Sequence, residues 1–148
     1  MKYTVRYAHF AKKPDLKVGD KVYEGDKIGV MGNTGASHGA HLHLDCVVGR
    51  VARKYTLAEI ENGNPTAAIR QLNMFIDNGL FKAPYRITTY YGCPDYQRRF
   101  KKVHTGYDVV PESGDWSIYW NRSKEGEVVS VVSDDPGYGN YVLISFDA

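Results

Sequence analysis

Alternation of apolar and polar positions predicts β-strands throughout the first 49 residues. Residues 3–10 and 41–48 both alternate over a length typical of strands. Two shorter apolar runs, at residues 18–22 and 28–30, flank glycine turns and predict a hairpin. The glycine-rich stretch 32–39 follows and predicts a flexible loop. This part of the chain is therefore expected to be β structure joined by turns.

The strand predicted over residues 41–48 divides its side chains between two faces. Even positions are expected to pack into the core: Leu42, Leu44 and Cys46. Odd positions line the opposite face: His41, His43 and Asp45. Two imidazoles spaced i, i+2 therefore share one face. Asp45 is either a hydrogen-bond partner of one imidazole or a solvated carboxylate.

The hydrophobic period changes to that of a helix in residues 50–84. Thr56 and Glu59 form a capping-box signature for a short helix that ends near Gly63. Asn64 and Pro65 predict the N-cap and first position of a second helix over residues 65–78. Its apolar stripe, closed by Gly79, has helical spacing: Ile69, Leu72, Phe75 and Ile76. A helical connector on the outside of a sheet is expected.

Residues 85–148 return to a β pattern. Strands are predicted over residues 86–91, 104–110, 126–132 and 141–146, with a polar loop at 93–102 and a turn at 134–139. The predicted fold class is mainly β (α+β). It has an antiparallel sheet core, a catalytic groove and one connecting helix.

The composition fits a single domain over residues 1–148, which is long enough to bury a core. A net charge of +2 argues against dedicated nucleic-acid binding, and no apolar run reaches membrane-spanning length. Cys46 and Cys93 match no metal-binding pattern and are expected to be free thiols. Residues 1–5 lack the apolar segment of a signal peptide. We therefore expect either that the protein is exported by another route or that it is a fragment of a larger protein.

Four residues form the candidate metal chemistry. His104 and Asp108 are four apart and can converge on one point, as can His41 and His43. Together they offer two nitrogens and one oxygen suited to zinc, plus a spare histidine. Three protein ligands with a fourth position left to water are typical of catalytic zinc, whereas structural zinc is usually closed by four ligands. The sequence therefore predicts a zinc hydrolase.

Five segments resemble motifs of the lysostaphin/LytM-type zinc endopeptidases, which cut peptidoglycan. They are the metal motif His104-Thr-Gly-Tyr-Asp108, the glycine turn Gly137-Tyr-Gly-Asn140, the histidine motif Tyr7-Ala-His9, the glycine-rich hairpin at 18–35, and the final motif Ser37-His-Gly-Ala-His41-Leu-His43. These segments and their surroundings cover about two thirds of the chain. The resemblance implies the metal ligands His43, His104 and Asp108. It also implies His41 as the general base and His9 as a group that stabilises the oxyanion or shares the proton transfer. His38 has no implied role and is expected at the surface.

The order of these motifs is reversed relative to the family, which implies a circular permutation. Residues 85–148 then correspond to the family's first half, residues 1–49 to its second half, and residues 50–84 to a helical connector. The permutation predicts that strand 141–146 lies antiparallel to strand 3–10. A monomer is expected. The alternative is a chain cut from tandem copies, which would complete its site by exchange in a swapped dimer.

The resemblance implies a zinc-dependent endopeptidase whose partners are bacterial peptidoglycan peptides, with no nucleic acid and no membrane insertion. Its expected place of action is the bacterial cell wall, as a phage lytic enzyme or a phage tail module, or as a bacterial fragment. One alternative is a non-catalytic cell-wall-binding or scaffolding domain. Another is a biotinyl- or lipoyl-like carrier, although residues 31–35 lack the lysine that such a carrier needs.

Overall fold

The computed structural model describes residues 1–37, 39–62 and 65–148. The predictions for His38, Gly63 and Asn64 lie outside the described residues. The elements, in chain order, are β1 (Lys2–Phe10), β2 (Lys21–Val22), β3 (Lys27–Val30), β4 (Leu42–Val48), α1 (Leu57–Asn62), α2 (Pro65–Asp77), β5 (Tyr85–Thr89), α3 (Pro94–Phe100), β6 (Tyr107–Pro111), β7 (Ser117–Tyr119), β8 (Gly126–Asp135) and β9 (Gly139–Asp147). The protein is mainly antiparallel β-sheet with few helices, in agreement with the predicted fold class.

A seven-stranded sheet with the order β2-β8-β9-β1-β4-β6-β5 forms the body of the molecule. Its central strands β9, β1 and β4 are buried along almost their whole length, and each of them pairs with a strand on both sides. Strands β3 and β7 form a separate two-stranded sheet. The pairs within both sheets are antiparallel.

Strand β1 lies antiparallel to β9, as the sequence predicted. The register pairs Lys2 with Asp147 and Tyr7 with Val142. The backbone amide of Ala148 donates a hydrogen bond of 3.1 Å to the carbonyl oxygen of Met1. The first and last described residues therefore lie side by side at one end of the sheet.

Helices cover both faces of the large sheet. Helix α2 packs Phe75 against Trp120 and Phe146, with ring centroids 5.3 and 5.2 Å apart. A second cluster, on the opposite face, contains Ile60 of α1 and Tyr141 of β9. The capping box predicted for α1 is confirmed by two hydrogen bonds between Thr56 and Glu59. No helix in the described ranges is long and apolar enough to cross a membrane.

Two local predictions were wrong. The runs at 18–22 and 28–30 do not pair as a hairpin, because β2 pairs with β8 and β3 pairs with β7. The stretch 93–102 is not a loop, because Pro94–Phe100 is helix α3. Proline at the first position and a left-handed C-terminal residue, Lys101, set the limits of this helix. The described ranges contain three helices: α1 and α2, both predicted within residues 50–84, and α3, which was not predicted. The expected fold class with one connecting helix was therefore wrong in the number of helices.

Candidate metal centre

The three predicted metal ligands converge because β4 and β6 are neighbours. His43 of β4 lies directly opposite Asp108 of β6 in the antiparallel register. His104 lies in the loop before β6, so the prediction of a strand over residues 104–110 was wrong at its start. One ligand atom from each of the three residues lies within 4.8 Å of the others. The structure therefore brings together two imidazole nitrogens and one carboxylate.

Hydrogen bonds at the outer side of each ring decide which nitrogen faces the centre. His104 Nδ1 donates to the carbonyl oxygen of Tyr90 at 3.0 Å, which leaves Nε2 facing Asp108 Oδ2 at 3.2 Å. His43 Nε2 donates to Asp45 Oδ2 at 2.9 Å, and its Nδ1 lies 2.9 Å from Asp108 Oδ1. Such outer partners orient the imidazole ligands of metal ions. The donor set N, N, O fits a transition metal such as zinc.

The electrostatics of the cluster also suit a cation. Burial lowers the pKa of His43, but its hydrogen bonds to Asp108 and Asp45 outweigh burial and raise it to about 9. Burial likewise opposes ionisation of Asp108, yet the hydrogen bonds from His104 and His43 hold the pKa of its carboxyl well below the usual range. The raised pKa of His43 favours a proton on its Nδ1, which faces Asp108 Oδ1. A divalent cation can take the place of that proton.

Asp45 is held in place by a buried arginine. Arg6 lies opposite Asp45 in the β1–β4 register, and its Nη2 is 2.5 Å from Asp45 Oδ2. Neither side chain has any solvent exposure. The guanidinium also lies 3.5 Å from the ring centroid of Tyr138. Of the two alternatives for Asp45, the structure shows the hydrogen-bond partner of His43.

His41 and His9 lie beside the three ligand residues without joining them. His41 precedes β4, and its Nδ1 donates to the carbonyl oxygen of Gly39 at 2.7 Å. Its Nε2 is 3.7 Å from Asp108 Oδ1. His9 Nδ1 donates to the carbonyl oxygen of Thr34 at 2.6 Å, and the two histidine rings are 4.7 Å apart. Among the described residues, the Nε2 atoms of His9 and His41 form no hydrogen bond, although His41 Nε2 lies near Asp108.

A bulge in β1 aims His9 at the centre. Regular alternation would place His9 on the same face as Tyr7, which packs under α2. The β1–β9 register shifts between Tyr7 and Phe10, and His9 has a left-handed φ of 65°. Phe10 consequently returns to the core, and His9 reaches the histidine cluster. Burial lowers the pKa of His9 to about 4, so its imidazole is neutral near pH 7.

Glycines permit two close backbone approaches at the centre. Gly35 has a φ of +77°, and a Cβ there would lie 2.3 Å from the backbone nitrogen of Gly139. This contact holds the loop that supplies the Thr34 carbonyl. A Cβ on Gly106 would lie 2.1 Å from the carbonyl oxygen of Leu44 and 2.8 Å from the His43 ring. Gly106 therefore lets the loop of His104 approach β4.

The centre opens into a cleft of about 620 Å³. Its lining includes the four site histidines and Asp108 together with two aromatic residues outside the motifs, Tyr96 and Phe100. Tyr138 of the glycine turn also lines it, although no site role was predicted for that residue. Arg6 was also missed. The sequence did contain a signal for it. Arg6 lies in a predicted strand, and a charge buried there needs a partner of opposite charge, such as Asp45.

Two imidazoles and a carboxylate converge beside two free imidazoles at an open cleft, an arrangement that defines a candidate metal-dependent hydrolase centre. Residues 1–55 match the sequence profile of Peptidase family M23. This segment contains His9, His41 and His43, whereas His104 and Asp108 lie beyond it. The match supports a metallopeptidase.

A relative from Buchnera aphidicola subsp. Baizongia pistaciae (strain Bp), described as "Uncharacterized metalloprotease", is 54% identical over 43 residues. The aligned stretch covers 29% of this chain and 11% of the relative, so the chain spans only a small part of that protein's length. No solved structure matches the chain.

Proposed function

We propose that this chain is a zinc-dependent endopeptidase that hydrolyses peptide crosslinks of bacterial peptidoglycan. The observation that carries the proposal is the convergence of His43, His104 and Asp108 in an open cleft, next to the imidazoles of His9 and His41. The match of residues 1–55 to a peptidase family supports hydrolysis of a peptide bond. The peptidoglycan substrate is supported by the resemblance of the motifs to lysostaphin/LytM-type enzymes.

Zinc held by the three ligands would supply Lewis-acid chemistry, which polarises a carbonyl and lowers the pKa of a water molecule. His41 serves as the general base, because its Nδ1–H is donated to Gly39 and its Nε2 lone pair faces the cleft. His9 shares the proton transfer. The Nδ1–H of neutral His9 donates to the carbonyl oxygen of Thr34, so its Nε2 is a hydrogen-bond acceptor. His9 then has no N–H left to donate to an oxyanion.

The order of the motifs supports a circular permutation of the family fold. Strand β1 runs beside β9, and the ligands before and on β6 lie in the same chain as His43 of β4. The proposal makes residues 85–148 and 1–49 the two halves of one domain, with 50–84 as the connector. We further propose that the protein is a monomer and acts on the bacterial cell wall, as a phage lytic enzyme or tail module. Light scattering and zinc analysis should give a monomer with one zinc per chain.

Defined crosslinked muropeptides provide the direct test. The zinc-loaded chain should cut them at a peptide bond, and mass spectrometry of the products identifies that bond. A chelator and the His104→Ala variant should each abolish cleavage, and stoichiometric zinc should be absent from the variant. Release of sugar fragments instead of peptides, or full activity of His104→Ala, would contradict the proposal.

A further inference from the structure

Helix α3 exposes its aromatic side chains to the cleft. None of its residues is buried, yet it carries Tyr96 and Phe100 one turn apart, with ring centroids 4.7 Å from each other. Both residues line the cleft, and Phe100 is 39% exposed. The Tyr96 ring lies 4.6 Å from the ring of His104. An apolar wall therefore runs outward from the metal centre, and it contributes nothing to the core of the protein.

Cations border this wall. Lys102 lines the cleft, and the guanidinium of Arg99 lies 5.3 Å from the centroid of the Phe100 ring. Within the described side chains, neither cation forms an ion pair with a carboxylate, whereas the neighbouring Arg98 is paired with Asp95. Two positive charges thus remain available next to exposed aromatic surface.

The rest of the cleft lining has a different character. It includes Leu57, which is 51% exposed, and the loop of Ala36, Ser37 and Gly39. Among the described residues that line the cleft, Lys102 is the one charged side chain outside the histidine and aspartate cluster. The positive charge of the cleft surface is therefore confined to the α3 side.

We infer that the α3 wall, defined as Tyr96, Arg99, Phe100 and Lys102, selects peptides that carry a free carboxylate on one side of the bond that is cut. This inference rests on the proposed endopeptidase function and adds the chemical class of its substrate. The aromatic rings contact the apolar part of an extended peptide, and Arg99 and Lys102 pair with its carboxylate. Charge complementarity favours an acidic peptide, because an amidated peptide would leave both cations without a partner.

A pair of matched peptides tests the inference. The two peptides are identical crosslinked muropeptides, except that one has a free carboxylate next to the crosslink and the other has a carboxamide. The zinc-loaded protein should prefer the carboxylate peptide by about 3- to 10-fold in kcat/KM, the effect of one or two partly exposed ion pairs. The preference should shrink at high salt. It should also shrink in Lys102→Met and in Arg99→Met.

Lys124→Met is the matched control. Lys124 precedes β8 at the end of that strand away from the cleft, and it is absent from the cleft lining. This variant should keep the preference, because it removes an equal charge at a distant position. Thermal unfolding should be unchanged in all three variants, since the side chains of Arg99, Lys102 and Lys124 are all exposed.

Binding separates the inference from the proposed function. Fluorescence anisotropy with the hydrolysis-deficient His41→Ala variant should show the same preference for the carboxylate peptide. If neither peptide is cut but the binding preference is present, the endopeptidase function fails and the selective wall stands. Equal binding of both peptides, or an equal loss of preference in Lys124→Met, would overturn the inference.

Discussion

Replacement of Arg6 by methionine should destabilise the protein far more than an ordinary arginine substitution. Arg6 and Asp45 are both fully buried, and their closest atoms are 2.5 Å apart. Burial opposes ionisation of Asp45, but the Arg6 charge and the hydrogen bond from His43 keep its pKa low. Removing one partner of a buried pair costs about 3–5 kcal/mol, because the other charge stays behind without compensation.

This loss of stability can be measured as a melting temperature. At about 2–4 °C per kcal/mol for a domain of this size, Arg6→Met should unfold roughly 6–20 °C below the wild type. Methionine fills most of the space between the rings of Tyr55 and Tyr138, so the loss of packing is kept small. Calorimetry of the metal-free protein is the assay. The matched control is Arg50→Met, whose pair with Glu127 is exposed and should matter little.

The same substitution should weaken metal binding. An Asp45 without Arg6 is no longer fixed by its ion pair and is a weaker acceptor for His43 Nε2, so the ring is held less firmly and zinc affinity should fall about 10- to 100-fold. Adding Asp45→Asn should restore part of the stability, since the amide oxygen can still accept from His43 Nε2 without a buried charge. The reasoning is refuted if Arg6→Met melts within a degree or two of Arg50→Met, or if the double variant is less stable than Arg6→Met.

Three further predictions concern the metal centre. The raised pKa of His43 stabilises the metal-free protein fully below pH 6.5, and this contribution is lost as the pH rises through about 9. Denaturant unfolding at pH 6 and 9.5 should show this loss in the wild type and not in His43→Gln. His41→Ala should keep its zinc but hydrolyse peptides about 10²- to 10⁴-fold more slowly, and unchanged turnover would remove His41 from the mechanism. Gly106→Ala should displace the His104 loop and lower zinc affinity, whereas Gly114→Ala, with open space around its Cβ, should not. Isothermal titration calorimetry with zinc measures the affinities of the Gly106→Ala and Gly114→Ala variants.

The sequence predicted the long buried strands and the three-ligand cluster because both depend on local patterns. Alternation located β1, β4, β8 and β9, since these strands carry most of the apolar surface. The candidate ligands followed from residue type and motif spacing. Their meeting depended only on the pairing of β4 with β6.

The missed features depend on long-range contacts or on surface that packs against nothing. Helix α3 has no buried stripe, so the stretch 93–102 showed no helical period and was interpreted as a loop. Strand β2 pairs with β8, which follows it by about a hundred positions in the printed sequence, and no local pattern specifies that choice. The orientation of His9 depends on a bulge, which changes the face of one side chain without changing composition.

The position of β1 between β9 and β4 determines when the centre can assemble during folding. Strand β1 can pair with β4 early, because Arg6 and Asp45 are only 39 positions apart, but the bulge that aims His9 forms only when β1 is paired on both sides. One of those sides requires pairing between residues 2 and 147, a contact of very high sequence separation. Such contacts form slowly, because the entropy of loop closure is lost before the contact stabilises the chain. Until then, the backbone N–H and C=O groups on the β9 side of β1 are open to pairing with other chains. Slow refolding and a tendency to aggregate at high concentration are the kinetic consequences of this strand order.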